Sequence, residues 1–77
     1  MGQDIVDVTV HIDETLDHTR LQIVAERVRK GHGIASAVFH DTKPHFLIVR
    51  YDPAQTDPPG VHRLVTEQGV HAELIGL

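Results

Sequence analysis

The chain has 77 residues, of which 40% are hydrophobic and 23% are charged, and it contains no cysteine. This length fits one domain spanning residues 1–77, and the missing cysteines exclude both disulfides and thiolate metal sites. The formal net charge of -4 at pH 7 argues against binding to a phosphate backbone, so we expect no nucleic-acid partner.

No segment has the pattern of a membrane span or a secretion signal. The longest apolar run covers residues 46–49, whereas a membrane helix needs about 18 apolar residues. The amino terminus also lacks a basic region followed by an apolar core. We therefore expect a cytoplasmic protein that does not insert into a membrane.

The first half of the chain predicts a strand followed by a helix. Residues 5–12 alternate with a period of two, which is typical of a half-buried strand, β1. Residues 21–28 carry apolar side chains at helical spacing and predict helix α1, with Asp17 or Thr19 as its N-cap. Gly31-His32-Gly33 is typical of a helix end, where positive φ is needed.

The second half predicts a hairpin, a second helix and a last strand. Residues 34–40 and 45–51 are rich in β-formers and predict strands β2 and β3, joined by a turn over residues 41–44. Asp57 then precedes two prolines, a combination that favours the first turn of helix α2, and Gly69 ends that helix. Residues 70–75 alternate again and predict strand β4.

The order βαββαβ predicts an α+β ferredoxin-like fold. Such a fold closes with right-handed crossovers when a four-stranded antiparallel sheet has the spatial order 4-1-3-2 and both helices cover one face. The apolar positions of the strands and helices then form the core. We expect the following residues to be buried together: Val8, Val10, Val24, Val28, Leu47, Val49, Leu64 and Leu74.

Three short segments resemble the heavy-metal-associated domain family, the small modules of copper and mercury handling. Val-Arg-Tyr-Asp-Pro at 49–53 is similar to the family's strand-to-loop segment, residues 69–75 are similar to its carboxyl-terminal segment, and Gly33-Ile34 is similar to its opening of β2. The resemblance implies the same fold. The family's Met-x-Cys-x-x-Cys motif is absent, because Asp17 and Arg20 stand where its two cysteines belong. The resemblance therefore does not extend to Cu(I) or Hg(II) binding by thiolates.

The histidines suggest a different metal site. In this topology the β1–α1, β2–β3 and α2–β4 connections meet at one end of the sheet, with His11 about one strand pair below it and His32 and His62 at the opposite end. Imidazole and carboxylate are ligands for Zn(II), Ni(II), Co(II) or Cu(II). The alternative is that these are solvated loop histidines. The candidate metal ligands at the convergent end are His18, His40, His45, His71, Asp17 and Asp41.

The open face of the sheet is a candidate interface. If Leu47, Val49 and Tyr51 face the helices, apolar side chains on neighbouring positions face outward, and a contiguous apolar patch commonly marks a contact surface. This patch predicts a homodimer or a protein partner, although the edge strands β2 and β4 offer pairing edges as an alternative. The candidate interface residues are Val38, Phe46, Ile48 and Ile75.

Two functions of different class follow from these patterns. The first is a metal-binding module that replaces the family's cysteines with nitrogen and oxygen ligands, and the second is a metal-free interaction or homodimerisation module. A third hypothesis is a regulatory small-molecule-binding domain of the ACT type, which has the same order of strands and helices. Enzyme activity is not expected, because the single serine, Ser36, lies in the middle of a strand and no cysteine nucleophile is present.

Overall fold

The computed structural model describes residues 4–75. Within these residues the structure has four strands and two helices. The strands form one antiparallel sheet of order β2-β3-β1-β4. This arrangement confirms the predicted ferredoxin-like βαββαβ fold, with strands one or two residues shorter than the sequence patterns predict. The elements are β1 (Val6–Ile12), α1 (His18–Arg29), β2 (Ile34–Phe39), β3 (Phe46–Tyr51), α2 (Pro58–Thr66) and β4 (Ala72–Ile75).

Each helix has an aspartate as its N-cap: Asp57 for α2, as the sequence predicts, and Asp17 for α1, one of the two caps that the sequence left open. The carboxylate of Asp17 accepts a hydrogen bond from the backbone N–H of Arg20 at 2.8 Å, and Asp57 accepts one from Gly60 at 2.8 Å. These bonds satisfy backbone donors that have no partner within the helix. Gly33 and Gly69, which follow the two helices, have φ of 79° and 87°, a region that favours glycine.

The core lies between the sheet and the two helices. The alternation of β1 directs every second side chain inward, and Val10, Val24 and Val28 are fully buried there. The predicted burial of Leu64 and Leu74 is wrong, because both side chains are only partly buried and pack against the margin of the core. Leu64 covers the turn after α1, where its side chain occupies the space that a Cβ on Gly31 would fill. Leu74 lies on an edge strand, which has no neighbour on its outer side.

Two backbone hydrogen bonds show how the connections meet at one end of the sheet. The N–H of Ile12 donates to the carbonyl of His45 at 2.8 Å, and the N–H of Asp13 donates to the carbonyl of His71 at 2.9 Å. These bonds extend the sheet pairing of β1 beyond the ends of β3 and β4 and hold the three connections together. Within residues 4–75, neither helix is long and apolar enough to cross a membrane.

Candidate metal centre

Three polar side chains meet on the open face of the sheet, one from β1, one from the residue that directly follows β1, and one from β4. The strand register places His11 directly opposite Glu73 on β4 and Phe46 on β3. Asp13 follows two residues after His11, so the period of two brings its side chain to the same face. We call His11, Asp13 and Glu73 the His11 cluster.

The spacing within the His11 cluster suits a small cation. Nδ1 of His11 lies 3.2 Å from Oε1 of Glu73 and 3.3 Å from Oδ1 of Asp13. The contact with Glu73 is a hydrogen bond and the contact with Asp13 an ion pair. Ligands bound at 2.0–2.1 Å to a tetrahedral zinc ion are about 3.3 Å apart, so both separations are also compatible with that geometry. All three ligand atoms lie within 4.8 Å of one another, and across residues 4–75 this is the one group of three such ligands that the structure brings together.

The cluster lies at the surface and its surroundings are acidic. The side chains of His11, Asp13 and Glu73 are 36%, 48% and 55% exposed, so an ion reaches them from solvent. The pKa of the neighbouring His71 imidazole is raised, mainly by its hydrogen bond to Glu14 and by the charge of Glu14. The charges of Asp13 and Glu73 raise this pKa further, which shows that they act on a cation at this position. The same hydrogen bond lowers the pKa of Glu14. A cation is therefore favoured at this corner of the sheet.

The His11 ring contacts two neighbouring rings. Its centroid lies 5.6 Å from that of His45, in a stacked arrangement with an interplanar angle of 21°, and 5.4 Å from that of Phe46, at 60°. The half-buried His45 ring is itself held, because its Nδ1 lies 2.7 Å from the carbonyl oxygen of Ile12. His45, one of the predicted ligands, thus lies beside the cluster.

The other five predicted ligands do not come together as one set of three or more close donors in the described part of the chain. Asp17 caps α1, and His71 pairs with Glu14, Nδ1 to Oε2 at 2.7 Å. His18, His40 and Asp41 line one cleft of about 430 Å³ between α1 and β2. Nδ1 of His40 accepts a hydrogen bond from the backbone N–H of Thr42 at 3.2 Å, which occupies that ring nitrogen.

The predicted position of His62 is wrong. It was expected at the end of the sheet opposite the convergent connections, yet its Nε2 lies 2.7 Å from the carbonyl oxygen of Ala72, the first residue of β4. His62 is the fifth residue of α2, and this helix runs toward the convergent end of the sheet. The ring of His62 therefore lies against the start of the edge strand β4. His32 follows α1 and is exposed.

The candidate interface residues do share the open face. Val38, Ile48, Thr9 and Ile75 form one row across all four strands, since Val38 pairs with Ile48, Ile48 with Thr9, and Thr9 with Ile75. Val38 is 57% exposed and Ile75 is 38% exposed, while Ile48 and Phe46 are half-buried. We call the three apolar members of this row, together with Phe46 beside them, the apolar row; Thr9 is its one polar position.

None of the three residues of the His11 cluster is among the six ligands that the sequence predicts. The signal was present, because His11 and Glu73 both occupy outward positions of alternating strands, and β1 neighbours β4 in the predicted order. What the pattern lacked was the register, as no hairpin joins these two strands and a slip by one residue reverses the face of every side chain.

The comparisons with known proteins concern the fold. No protein-family model matches the chain, and no curated protein matches its sequence. Solved structures do match: oxidized MerP from Ralstonia metallidurans CH34 has a TM-score of 0.83 at 14% identity, covering 95% of this chain and 100% of that one. The apo copper chaperone of Enterococcus hirae has a TM-score of 0.78 at 18% identity, covering 88% and 98%. The yeast copper transporter domain Ccc2a has a TM-score of 0.77 at 11% identity, covering 91% and 94%.

These likenesses confirm at the level of the fold the resemblance seen in the sequence. The chain shares the fold of these solved structures, and its sequence contains no cysteine.

Proposed function

Starting from this shared architecture, we propose that the chain is a small metal-binding module that takes a divalent ion through imidazole and carboxylate ligands. The observation that carries the proposal is the His11 cluster, with its ligand-atom separations of 3.2 and 3.3 Å. The likeness to a copper chaperone and to MerP supports it, because those proteins use the same scaffold.

The donor set defines the class of metal. One imidazole nitrogen and two carboxylate oxygens are ligands of Zn(II), Co(II), Ni(II) or Cu(II), whereas soft ions such as Cu(I) and Hg(II) require sulfur. Three protein ligands leave at least one position of the ion open to water or to a partner's ligand. Such a site suits reversible binding better than a closed structural site with four protein ligands.

The proposal assigns binding and not catalysis, in line with the solved structures of similar fold. The cytoplasmic location expected from the sequence is part of the same proposal; one structure of similar fold, mercury-bound MerP, is described as periplasmic.

Calorimetric titration with Zn(II) tests the proposed function. We expect wild-type protein to bind one ion, and Glu73→Gln to bind at least about tenfold more weakly because a charged ligand is replaced by a poor one. Glu26→Gln is the matched control, since Glu26 makes only an exposed ion pair with Lys30 at 3.7 Å. Equal affinities of wild type and Glu73→Gln contradict the site, and no heat of binding in wild type contradicts the function.

The apolar row favours a second candidate function. An unpaired row of apolar side chains across an open sheet is typical of a contact surface, which supports a protein-interaction or homodimerisation module. This function requires no metal, so the two candidates are separable by experiment.

A further inference from the structure

We propose that His45 is the positioning residue of the His11 cluster, holding the His11 imidazole in the orientation that presents Nδ1 to Asp13 and Glu73. This inference rests on the proposed metal-binding function and names the side chain that prepares the site for its ion.

His45 is itself fixed before it contacts His11. A carbonyl oxygen only accepts hydrogen bonds, so the 2.7 Å contact requires that Nδ1 of His45 donates to the Ile12 carbonyl. Ile12 is 1% exposed and belongs to β1, and its own N–H donates to the carbonyl of His45 at 2.8 Å. The two bonds tie His45 to the strand that carries His11 and that Asp13 directly follows.

The stacked ring then restricts His11. A partly exposed histidine on an open sheet samples several rotamers, and ordering it lowers the affinity of any ligand that needs one of them. Ring pairs with centroids 4.5–7 Å apart attract in offset or tilted arrangements, and the 5.6 Å contact to His45 is in that range. The stack therefore keeps Nδ1 of His11 directed at the two carboxylates before an ion arrives.

Phe46 also contacts the His11 ring, but it is the weaker positioning group. Its ring, tilted by 60°, has no group that can hydrogen-bond to β1, whereas His45 combines the ring contact with a hydrogen bond to the backbone of β1. The hydrogen bond is the difference between the two. Groups that orient a metal ligand from outside the coordination sphere typically change metal affinity 10–100-fold. We assign that role to His45.

The test compares the Zn(II) affinities of four proteins by competition with a chromogenic chelator. We expect His45→Ala to bind about tenfold more weakly than wild type. His45→Phe keeps an aromatic ring for the stack but loses the hydrogen bond to Ile12, so it should recover part of the loss. His32→Ala is the control, because it removes an exposed histidine at the turn after α1. Thermal unfolding of each variant, measured in parallel, reports whether it is folded.

A second readout uses the metal-free protein. We expect nuclear Overhauser effects between the ring protons of His11 and His45 in wild type, and a single set of His11 ring nitrogen shifts that broadens or moves in His45→Ala. If His45 only stabilises the fold, His45→Ala should lower the temperature midpoint of unfolding and leave the His11 ring nitrogen shifts unchanged.

The outcomes separate the inference from the function on which it rests. Wild-type protein that binds no Zn(II) overturns both. Wild type and His45→Ala of equal affinity, or folded His45→Ala and His45→Phe proteins that lose affinity equally, overturn the positioning role while the metal site stands. Missing ring-to-ring effects in wild type overturn the positioning role as well.

Discussion

Glu14 and His71 form a hydrogen-bonded pair that joins the β1–α1 connection to the start of β4. Oε2 of Glu14 accepts from Nδ1 of His71 at 2.7 Å, and Oε1 accepts from the His71 backbone N–H at 2.9 Å. The bond between the side chains raises the pKa of His71 and lowers the pKa of Glu14. His71 therefore contributes stability that is full below its ordinary pKa and lost as pH rises through the raised one. Glu14 contributes stability that is full above its ordinary pKa and lost as pH falls through the lowered one.

The pair thus predicts a window of greatest contribution between about pH 4.3 and pH 6.5, the ordinary values of the two side chains. We expect Glu14→Gln to lower the pKa of His71 toward its ordinary value, because a neutral amide cannot stabilise the imidazolium in the same way. Proton nuclear magnetic resonance of the His71 ring across pH measures this directly, with Glu26→Gln as the control for a lost surface carboxylate. A His71 pKa that is the same in wild type and Glu14→Gln contradicts the pair.

One backbone carbonyl on each edge strand of the sheet accepts a hydrogen bond from a helix side chain. Nη1 of Arg29 on α1 donates to the carbonyl of Ala37 on β2 at 3.0 Å, and Nε2 of His62 on α2 donates to the carbonyl of Ala72 on β4 at 2.7 Å. In antiparallel pairing alternate residues direct their backbone groups away from the neighbouring strand, and both carbonyls are of that outward kind. Occupied outward carbonyls disfavour pairing between copies through these edges.

Helix α1 offers a test of whether Asp17 acts as a cap or as a metal ligand. Its carboxylate accepts the Arg20 N–H, so Asp17→Ala should lower the free energy of unfolding by about 1 kcal/mol, whereas Asp17→Ser keeps an acceptor and most of that stability. We expect both variants to bind Zn(II) with wild-type affinity. Chemical denaturation and the chelator competition measure the two quantities. A folded Asp17→Ser protein that no longer binds Zn(II) identifies Asp17 as a ligand.

The sequence predicts the elements well because their signals are local. The alternation along β1 and the aspartates before both helices depend on residues that are neighbours in the chain. The structure confirms the alternation and Asp57, and it selects Asp17 from the two predicted caps of α1. The His11 cluster depends instead on the register between β1 and β4, which are separated by most of the chain. His62 illustrates the same limit, since its contact with Ala72 depends on how α2 lies over the edge strand. Interactions across the sheet are set by packing, which no short motif encodes.

The open face is the part of the whole molecule that decides between the two candidate functions. Ile48 lies in the middle of the apolar row, half-buried between Val38 and Thr9. If the row is a homodimer contact, Ile48→Lys should leave the fold intact and abolish association, because it places a charge at the centre of the contact. Light scattering at increasing protein concentration measures this, with Val6→Lys as a control at another exposed apolar position. Wild-type protein that stays monomeric contradicts the homodimer.

Because the chain contains no cysteine, we expect it to prefer divalent ions over Cu(I), the opposite of the preference of thiolate sites. Cu(I) is a soft ion, and this chain offers it no thiolate, so we expect binding too weak to compete with a Cu(I) chelator. Competition with such a chelator under reducing conditions measures the affinity. Tight retention of Cu(I) contradicts the assignment of a nitrogen and oxygen site.

The most direct measurement of the proposed site is the map of amide shifts in isotope-labelled protein titrated with Zn(II). The His11 cluster predicts shifts centred on residues 11–13 and 72–74, which disappear in His11→Ala and persist in His32→Ala. Affinity should also fall as pH is lowered, because protons compete with the metal ion for a ligating imidazole nitrogen. Shifts centred on His18, His40 and Asp41, or no shifts at all, contradict the assignment of the metal site to His11, Asp13 and Glu73.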